Sequence, residues 1–132
     1  VWQQTVLPDR DQSHRLAPDL AAVADPFTGM KIIVGGNIGV GGGTSLSAPI
    51  LAGLTAVVND YLAARGAGPV GDLNPRLYRI AGLAPAPAFH DVTLGGNAVE
   101  IAAPGFDLVT GVGTPDVEQL ARALLADAGA AR

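Results

Sequence analysis

Ser45 is the residue of this sequence whose surroundings are best suited to chemistry. Glycines 41–43 and Thr44 precede it, and an apolar pattern of helical period begins at Ser45. A serine at the start of a helix lies where free backbone amides converge and where the helix dipole is positive. Fixed amides of this kind stabilise the oxyanion that forms when a serine attacks a carbonyl. Ser45 is therefore a candidate nucleophile, and a serine that merely caps the helix is the alternative.

Two aspartates in the loop-rich stretch 83–113 are candidates for metal binding. Asp91 and Asp107 are sixteen residues apart, and Gly and Pro residues near Asp107 can turn carbonyls outward. Such oxygens form the hard ligand set of Ca²⁺, which takes about six to eight of them. Zn²⁺ is a poorer match, because His90 would point away from Asp91 on a strand. The alternative is a pair of aspartates that accept hydrogen bonds from turn amides.

The composition excludes several functional classes. With 8 Lys and Arg against 12 Asp and Glu, the net charge is −4, which argues against a nucleic-acid partner. The absence of Cys excludes a disulfide scaffold, a thiolate metal site and a Cys nucleophile. The glycine-rich stretch 35–44 lacks the Lys of a P-loop and the spacing of a dinucleotide fingerprint. Because Gly, Pro or a charge interrupts each apolar run, we expect no membrane span and no membrane partner.

The pattern along the first half of the chain predicts a turn, a strand and a long helix. Residues 25–29 have the composition of a turn, in which the aspartate accepts hydrogen bonds from the amides after it. Residues 30–34 are a β-branched strand, and six glycines in 35–43 predict neither strand nor helix there. The helix that begins at Ser45 is expected to be buried on most faces, with Pro49 tolerated in its first turn.

Shorter elements are predicted in the second half of the chain. Residues 73–80 read as a helix with Asn74 as its N-cap, and residues 89–93 as a short strand. Thr114 is the predicted N-cap of a last helix that reaches Leu125.

Six motifs follow one another along the chain: RLAPDL at 15–20, ADPFTG at 24–29, GGTSLSAP at 42–49, LNPRLY at 73–78, FHDVT at 89–93 and GFDLVTGVGTP at 105–115. In this order they resemble the C-terminal half of the sedolisin (serine-carboxyl peptidase) family, a branch of the subtilisin-like fold. The resemblance covers roughly residues 15–125. It implies an α/β fold class, specifically the C-terminal part of a doubly wound parallel sheet with flanking helices and a calcium-binding loop. It also implies that residues 1–132 are the C-terminal portion of a single peptidase domain, whose upstream half is not in this chain.

The resemblance implies a role for each matching residue. Ser45 matches the family's nucleophile, and its own backbone amide would supply one oxyanion donor. The family's Ca²⁺ site matches the carboxylates of Asp91 and Asp107 and three backbone carbonyls. Sedolisins commonly have Gly at one of these carbonyl positions, where this chain has Ala; the site tolerates this unless the residue needs a positive φ. The carbonyl ligands are those of Val92, Ala103 and Gly105.

The carboxylates that complete the chemistry of a sedolisin are not in the matching segment. In the family, the Glu base, the Asp that orients it and the Asp at the oxyanion lie upstream of the serine. Here both Glu residues, Glu100 and Glu118, are downstream, and His14 and His90 are isolated histidines. We therefore expect the isolated chain to be inactive, because an unassisted serine hydroxyl is a weak nucleophile. The expected partner is the upstream half of the same peptidase, present in the same or a separately processed chain.

The resemblance implies a serine-type endopeptidase that acts on peptide or protein substrates. A carboxylate base stays ionised below neutral pH, so activity in acid is expected. By family resemblance alone, the protein is expected to be secreted or extracellular. Two alternatives stay open at this point: a non-catalytic, calcium-stabilised binding module, and a fragment of a subtilisin-type protease with a histidine base upstream.

Overall fold

The computed structural model describes residues 2–7, 14–83 and 87–130. These residues form two compact units, one comprising Ala22–Val57 and the other Val1–Ala21 with Val58–Arg132. The elements in chain order are a short 3-10 helix (Trp2–Thr5), β1 (Met30–Val34), β2 (Asn37–Gly41), α1 (Thr44–Ala63), α2 (Leu73–Ala81), β3 (Phe89–His90), β4 (Thr114–Pro115) and α3 (Val117–Ala130).

Strands β1 and β2 form an antiparallel hairpin around Gly35 and Gly36. The strand prediction for 30–34 is confirmed, but the prediction of no regular element over 35–43 is wrong. Gly35 and Gly36 have φ of 58° and 80°, which suits a two-residue hairpin turn. Gly39 and Gly41 lie on the face of β2 that the Ile32 side chain covers, since a Cβ at Gly41 would lie 3.0 Å from Ile32 Cδ1. The glycines are therefore tolerated in a strand because a neighbouring side chain occupies the space beside them.

Both sheets of the described residues are two-stranded and antiparallel, β1 with β2 and β3 with β4. The parallel sheet implied by the family resemblance is not formed by the strands in this part of the chain. Only two residues connect β1 to β2, whereas parallel neighbours need a crossover of about a dozen residues. The predicted strand at 89–93 is also shorter than expected, because β3 ends at His90.

Helix α1 begins one residue before Ser45, and half of its residues are exposed. Among its residues, those buried are Val58 and Leu62. The expectation of burial on most faces is therefore wrong: Val57, for example, is 61% exposed.

Helix α1 is also long and apolar enough, by length and composition, to cross a membrane. This corrects the expectation that every apolar run is too short, because Pro49 and Gly53 interrupt the run without ending the helix. Length and composition are weak evidence of a membrane span, since the core helices of soluble proteins pass the same test.

The core of the larger unit lies where the end of α1 packs with α2 and α3. Leu62, Leu77 and Leu124 are each no more than 1% exposed. Leu62 and Leu124 belong to the apolar sets that predict α1 and α3, and Leu77 lies in the helix predicted over 73–80, so this part of the fold follows from the sequence. The remaining buried residues of the cluster are Val58, Val70, Ile80, Ala88, Leu120 and Ala121.

The N-termini of α2 and α3 differ from their predicted positions. Asp72, not Asn74, occupies the N-cap of α2, and the Asn74 side chain instead donates to the Asp19 carboxylate at 3.3 Å. Asp116, not Thr114, caps α3, because its Oδ1 accepts a hydrogen bond from the Gln119 amide at 3.0 Å. Thr114 belongs to β4, whose pairing with β3 takes it out of the helix. In both cases, the residue that the local pattern predicts as the N-cap makes a tertiary contact instead.

A buried polar chain joins the N-terminal segment to α2. The Gln3 side chain, 2% exposed, donates from Nε2 to the Tyr78 hydroxyl at 2.8 Å. The Tyr78 hydroxyl in turn donates to Asp19 Oδ1 at 2.8 Å, and burial raises the pKa of Tyr78. Asp19, in the first of the six motifs, therefore has a structural part as the acceptor of a buried hydroxyl.

An ion pair between α2 and α3 gives a prediction about acid stability. Arg76 and Arg79 bind the Asp127 carboxylate at 2.8 and 2.9 Å. Hydrogen bonds from Arg79 hold the pKa of Asp127 below its ordinary value; burial opposes this effect, and the hydrogen bond from Arg76 adds to the lowering. A carboxyl whose pKa is lower in the folded state than in the unfolded state stabilises the fold at pH values above its unfolded-state pKa. This stabilisation is lost as the pH falls through its folded-state pKa. We therefore expect Asp127→Asn to lower the melting temperature at about pH 6 but much less near pH 2.

Thermal unfolding of the two proteins across this pH range measures the difference. Asp60→Asn, which removes an exposed aspartate with no ion pair in the described structure, is the control. A difference between wild type and Asp127→Asn that stays constant across the range would show that the ion pair does not stabilise the fold.

Candidate functional site

Ser45 is the second residue of α1 and is exposed. The Gly43 carbonyl accepts hydrogen bonds from the amides of Leu46, at 2.9 Å, and Ser47, at 3.3 Å. Within the described residues, the amides of Thr44 and Ser45 donate to nothing, and the Ser45 hydroxyl also has no partner. Gly43, not Ser45, therefore precedes the helix as its cap. The Ser45 hydroxyl lies beside free N–H groups at the positive end of a 20-residue helix.

Pro49 lies in the second turn of α1, not in its first turn as predicted. As the sixth residue of the helix it has no N–H to donate to the carbonyl of Ser45, four residues earlier. The helix continues to Ala63 nevertheless, so the missing bond affects only the backbone at Ser45.

The segment that leads into Ser45 lies against the turn at 25–29. The turn is formed as predicted: the Asp25 carboxylate accepts hydrogen bonds from the amides of Phe27, at 3.1 Å, and Thr28, at 3.0 Å. The Thr28 hydroxyl also donates to this carboxylate. The pKa of Asp25 lies below its ordinary value, mainly because of this hydroxyl and secondly because of the Phe27 amide. The turn is thus closed by an ionised aspartate immediately beside the glycine segment.

The side chains of Asp91 and Asp107 both accept hydrogen bonds from backbone amides of residues 103–105. Asp91 Oδ2 accepts a hydrogen bond from the Gly105 amide at 2.8 Å, and Asp107 Oδ2 accepts one from the Ala103 amide at 3.0 Å. Asp107 Oδ1 also accepts from the Val109 amide at 2.8 Å. In the folded chain both carboxylates therefore contact one short backbone segment, through the amides of two residues whose carbonyls are predicted ligands.

The residues present fit the ligand chemistry of Ca²⁺. Asp107 is 8% exposed; burial acts to raise its pKa, but amide hydrogen bonds from Ala103, Thr110 and Val109 outweigh this effect and lower the pKa. Asp91 Oδ1 has no hydrogen bond among the described residues. Ala103 does not have a positive φ, so the departure from Gly at this position brings no backbone strain. Carboxylate and backbone carbonyl oxygens, the donor types that these residues offer, are the hard oxygen ligands that calcium prefers.

Carbonyls would have to supply most of the ligands of such a site. The described residues contain no group of three or more His, Asp or Glu side chains that could hold a metal ion. The hydrogen bonds to Asp107 Oδ1 are also those of an ordinary aspartate turn, so the turn-forming alternative stands beside the calcium prediction. Val92, the remaining predicted ligand, is half-buried.

Three of the histidine and glutamate residues lie away from Ser45 in their contacts or are simply exposed. His90 is 70% exposed at its side chain, with Nε2 3.7 Å from the Asp116 carboxylate. Glu118 accepts a hydrogen bond from Arg122 at 2.6 Å, within α3. His14 is exposed. None of these contacts involves Ser45.

The structure also contains features that the sequence did not indicate. A cleft of about 370 Å³ lies beside Asp91, between Gly82, Phe89 and Phe106. The Ser47 hydroxyl donates to the Val23 carbonyl at 3.0 Å, a contact across 24 residues. No local pattern signals either feature, because each depends on segments that meet only in the folded chain.

Comparison with known proteins identifies the class. No protein-family model matches this chain. Kumamolisin of Bacillus sp. (strain MN-32) is 41% identical over 126 residues, which are 91% of this chain and 21% of kumamolisin. Tripeptidyl-peptidase 1 of Dictyostelium discoideum is 35% identical over 118 residues, 85% of this chain and 19% of that protein. This chain therefore spans about a fifth of the length of these curated relatives.

A solved structure agrees with these relatives. Pseudomonas sedolisin (serine-carboxyl proteinase), complexed with two molecules of pseudo-iodotyrostatin, superposes with a TM-score of 0.80 at 28% identity, covering 96% of this chain and 34% of sedolisin. The fold is thus part of the subtilisin-like fold of a serine-carboxyl proteinase. The chain belongs to the sedolisin family.

Proposed function

We propose that this chain contributes the nucleophile of a serine-type endopeptidase, and that Ser45 is this nucleophile. The observation that carries the proposal is the free Ser45 amide beside its own unpartnered hydroxyl, among the described residues, at the start of α1. Attack of Ser45 Oγ on a peptide carbonyl forms a tetrahedral intermediate, to whose oxyanion the Ser45 amide donates. Collapse expels the amine and leaves an acyl-enzyme, which water hydrolyses to free the serine.

The base that removes the Ser45 proton is proposed to be a carboxylate outside this chain. Within the described residues nothing accepts a hydrogen bond from the Ser45 hydroxyl, and Glu118 is paired with Arg122. The chain spans only about a fifth of its curated relatives, so a protein of their length would have most of its residues outside this segment. This chain together with the remainder of the catalytic domain is called the assembled peptidase. Its activity is expected in acid, because a carboxylate base remains ionised there.

A calcium ion is the second part of the proposal. Asp91 and Asp107 would hold it with the carbonyls of Val92, Ala103 and Gly105. The ion would supply positive charge between two carboxylates and link segments that are far apart in sequence. Its proposed effect is on stability, and no step of peptide hydrolysis depends on it.

The substrates and location follow from the same proposal. Peptides or proteins are the proposed substrates, and the expected location is secreted or extracellular. Assays with one peptide sequence, either free or blocked at its N-terminus, separate internal cleavage from removal of terminal residues: cleavage of both forms at the same bond supports an endopeptidase.

Covalent labelling tests the proposed nucleophile. A fluorophosphonate reacts with a serine only when a base activates it, so the assembled peptidase should be labelled and the isolated chain should not. Mass spectrometry of the labelled peptide should place the adduct on Ser45. An adduct on Ser47, or equal labelling of the isolated chain, would contradict the proposal. An assembled protein that is never labelled, yet is stabilised by calcium, would support the non-catalytic binding module instead.

A further inference from the structure

Two hydrogen bonds tie the start of α1 to residues 23 and 24, one on each side of Ser45. The Gly43 amide donates to the Ala24 carbonyl at 2.5 Å. The Ser47 hydroxyl donates to the Val23 carbonyl at 3.0 Å. Gly43 and Ser47 lie two residues before and two residues after Ser45, so the same segment holds the backbone on both sides of the candidate nucleophile.

The glycines before Ser45 pack directly against the backbone of the turn at 25–29. A Cβ at Gly42 would lie 2.5 Å from Pro26 N and 2.6 Å from the Asp25 carbonyl carbon. A Cβ at Gly29 would overlap the Gly41 carbonyl oxygen. Contact at these distances is possible only for glycine, so the segment before Ser45 has little freedom to shift against the turn.

The Ser47 hydrogen bond is unusual for a hydroxyl on a helix. Thr55, on the same helix, donates to the Leu51 carbonyl at 2.8 Å, four residues earlier, which is the ordinary local choice. The equivalent carbonyl for Ser47 is that of Gly43, which already accepts the amides of Leu46 and Ser47, and the Ser47 hydroxyl donates outside the helix to the Val23 carbonyl. Its hydroxyl therefore contributes a tertiary contact that the helix does not need for its own formation.

We propose that Ser47 is a positioning residue for Ser45, acting through its hydrogen bond to the Val23 carbonyl. This bond, with the one from Gly43, fixes the rotation of the first turn of α1 about its axis. That rotation determines where the Ser45 hydroxyl and the free Ser45 amide point. The inference rests on the proposed function, since it assumes that Ser45 attacks the substrate.

Three substitutions in the assembled peptidase test this inference. Ser47→Ala removes the hydroxyl, Ser47→Thr keeps it, and Thr55→Val removes a hydroxyl of α1 that does not contact residues 22–29. For each we would measure kcat, KM, the rate of fluorophosphonate labelling and the melting temperature. Because small misplacement of a reacting group is costly, Ser47→Ala should lower kcat and the labelling rate about tenfold. KM should stay within about twofold, since no substrate contact is removed.

The other two variants show whether Ser47→Ala lowers the labelling rate by displacing Ser45. Ser47→Thr should recover most of the labelling rate, and Thr55→Val should keep the wild-type rate even where its melting temperature falls as far as that of Ser47→Ala. A Ser47→Ala enzyme that labels at the wild-type rate would overturn the inference, as would an equal loss in Thr55→Val. The proposed function fails separately: if Ser45→Ala leaves the peptidase active, Ser45 is not the nucleophile and Ser47 has nothing to position.

Discussion

Replacing Ser45 by alanine is expected to abolish the activity of the assembled peptidase, with kcat lowered by about 10⁵- to 10⁶-fold. Loss of a catalytic serine leaves only the rate enhancement that comes from substrate binding and oxyanion stabilisation. Stability should hardly change, by less than about 0.5 kcal/mol, because the Ser45 side chain is exposed and its hydroxyl has no hydrogen bond in the described residues. Peptide hydrolysis and thermal unfolding of the same preparations measure the two effects.

Thr44→Ser is the matched control for Ser45→Ala. Thr44 is the adjacent residue of the same motif, is exposed, and makes no side-chain hydrogen bond in the described part of the chain. This variant should retain near wild-type activity. A Ser45→Ala enzyme that folds normally and still hydrolyses peptides would mean that Ser45 is not the nucleophile. An equal loss in both variants would indicate damage to the glycine segment instead of loss of a reacting group.

Removal of calcium is expected to give the second large effect. Because an ion bound only to the folded state stabilises it, a hundredfold excess over Kd corresponds to about 2.7 kcal/mol. A chelator should therefore lower the melting temperature, and Ca²⁺ should restore it. Mg²⁺ should do so poorly, because it demands a smaller and more regular set of oxygens. Limited proteolysis should follow the same order, with cleavage in the loop 93–106.

The structure refines which part of this loop depends on the ion. Within the loop 93–106 the chain forms a turn of its own, in which the Ala102 amide donates to the Gly95 carbonyl at 2.9 Å. Leu94, Val99 and Ile101 remain 79% or more exposed, so little apolar burial holds the turn in place. We therefore expect proteolysis after chelation at these exposed residues.

Asp91→Asn is a sharper test of the calcium site than Asp107→Asn. Asp107 accepts amide hydrogen bonds at both carboxylate oxygens, so its replacement disturbs the turn whether or not calcium is present. Asp91 accepts one, from Gly105, and the carbonyl oxygen of Asn can still accept it. Asp91→Asn should remove most of the response to calcium while changing little in chelator.

Asp72→Asn is the control for charge alone. Asp72 makes no side-chain cap hydrogen bond at the start of α2, and its replacement removes the same charge outside the site. It should keep the full calcium response. If the melting temperature of the wild-type protein is the same with and without chelator, the calcium assignment is wrong and Asp91 and Asp107 are turn formers.

Much of the local structure could be predicted from the sequence, because it depends on neighbouring residues. The apolar period predicts α1 and α3, with Leu62 and Leu124 of the buried cluster, and the Asn-Pro pair at 74–75 predicts α2. The turn at 25–29 is predicted from Asp, Pro and Gly at fixed positions, and its hydrogen bonds to Asp25 are local. The order of the six motifs likewise indicates the family, since that order is a property of the chain itself.

Only the tertiary structure decided the features that join distant residues. Strand β2 was missed because its glycines are disfavoured locally, and pairing with β1 under the Ile32 side chain overrides that preference. Asn74 was a reasonable N-cap by pattern, but its side chain is taken by Asp19, 55 residues away. The bond from Ser47 to Val23 had no local signal at all. Local propensities are worth a fraction of a kcal/mol per residue, about the size of one tertiary hydrogen bond, so a contact between segments can reverse them.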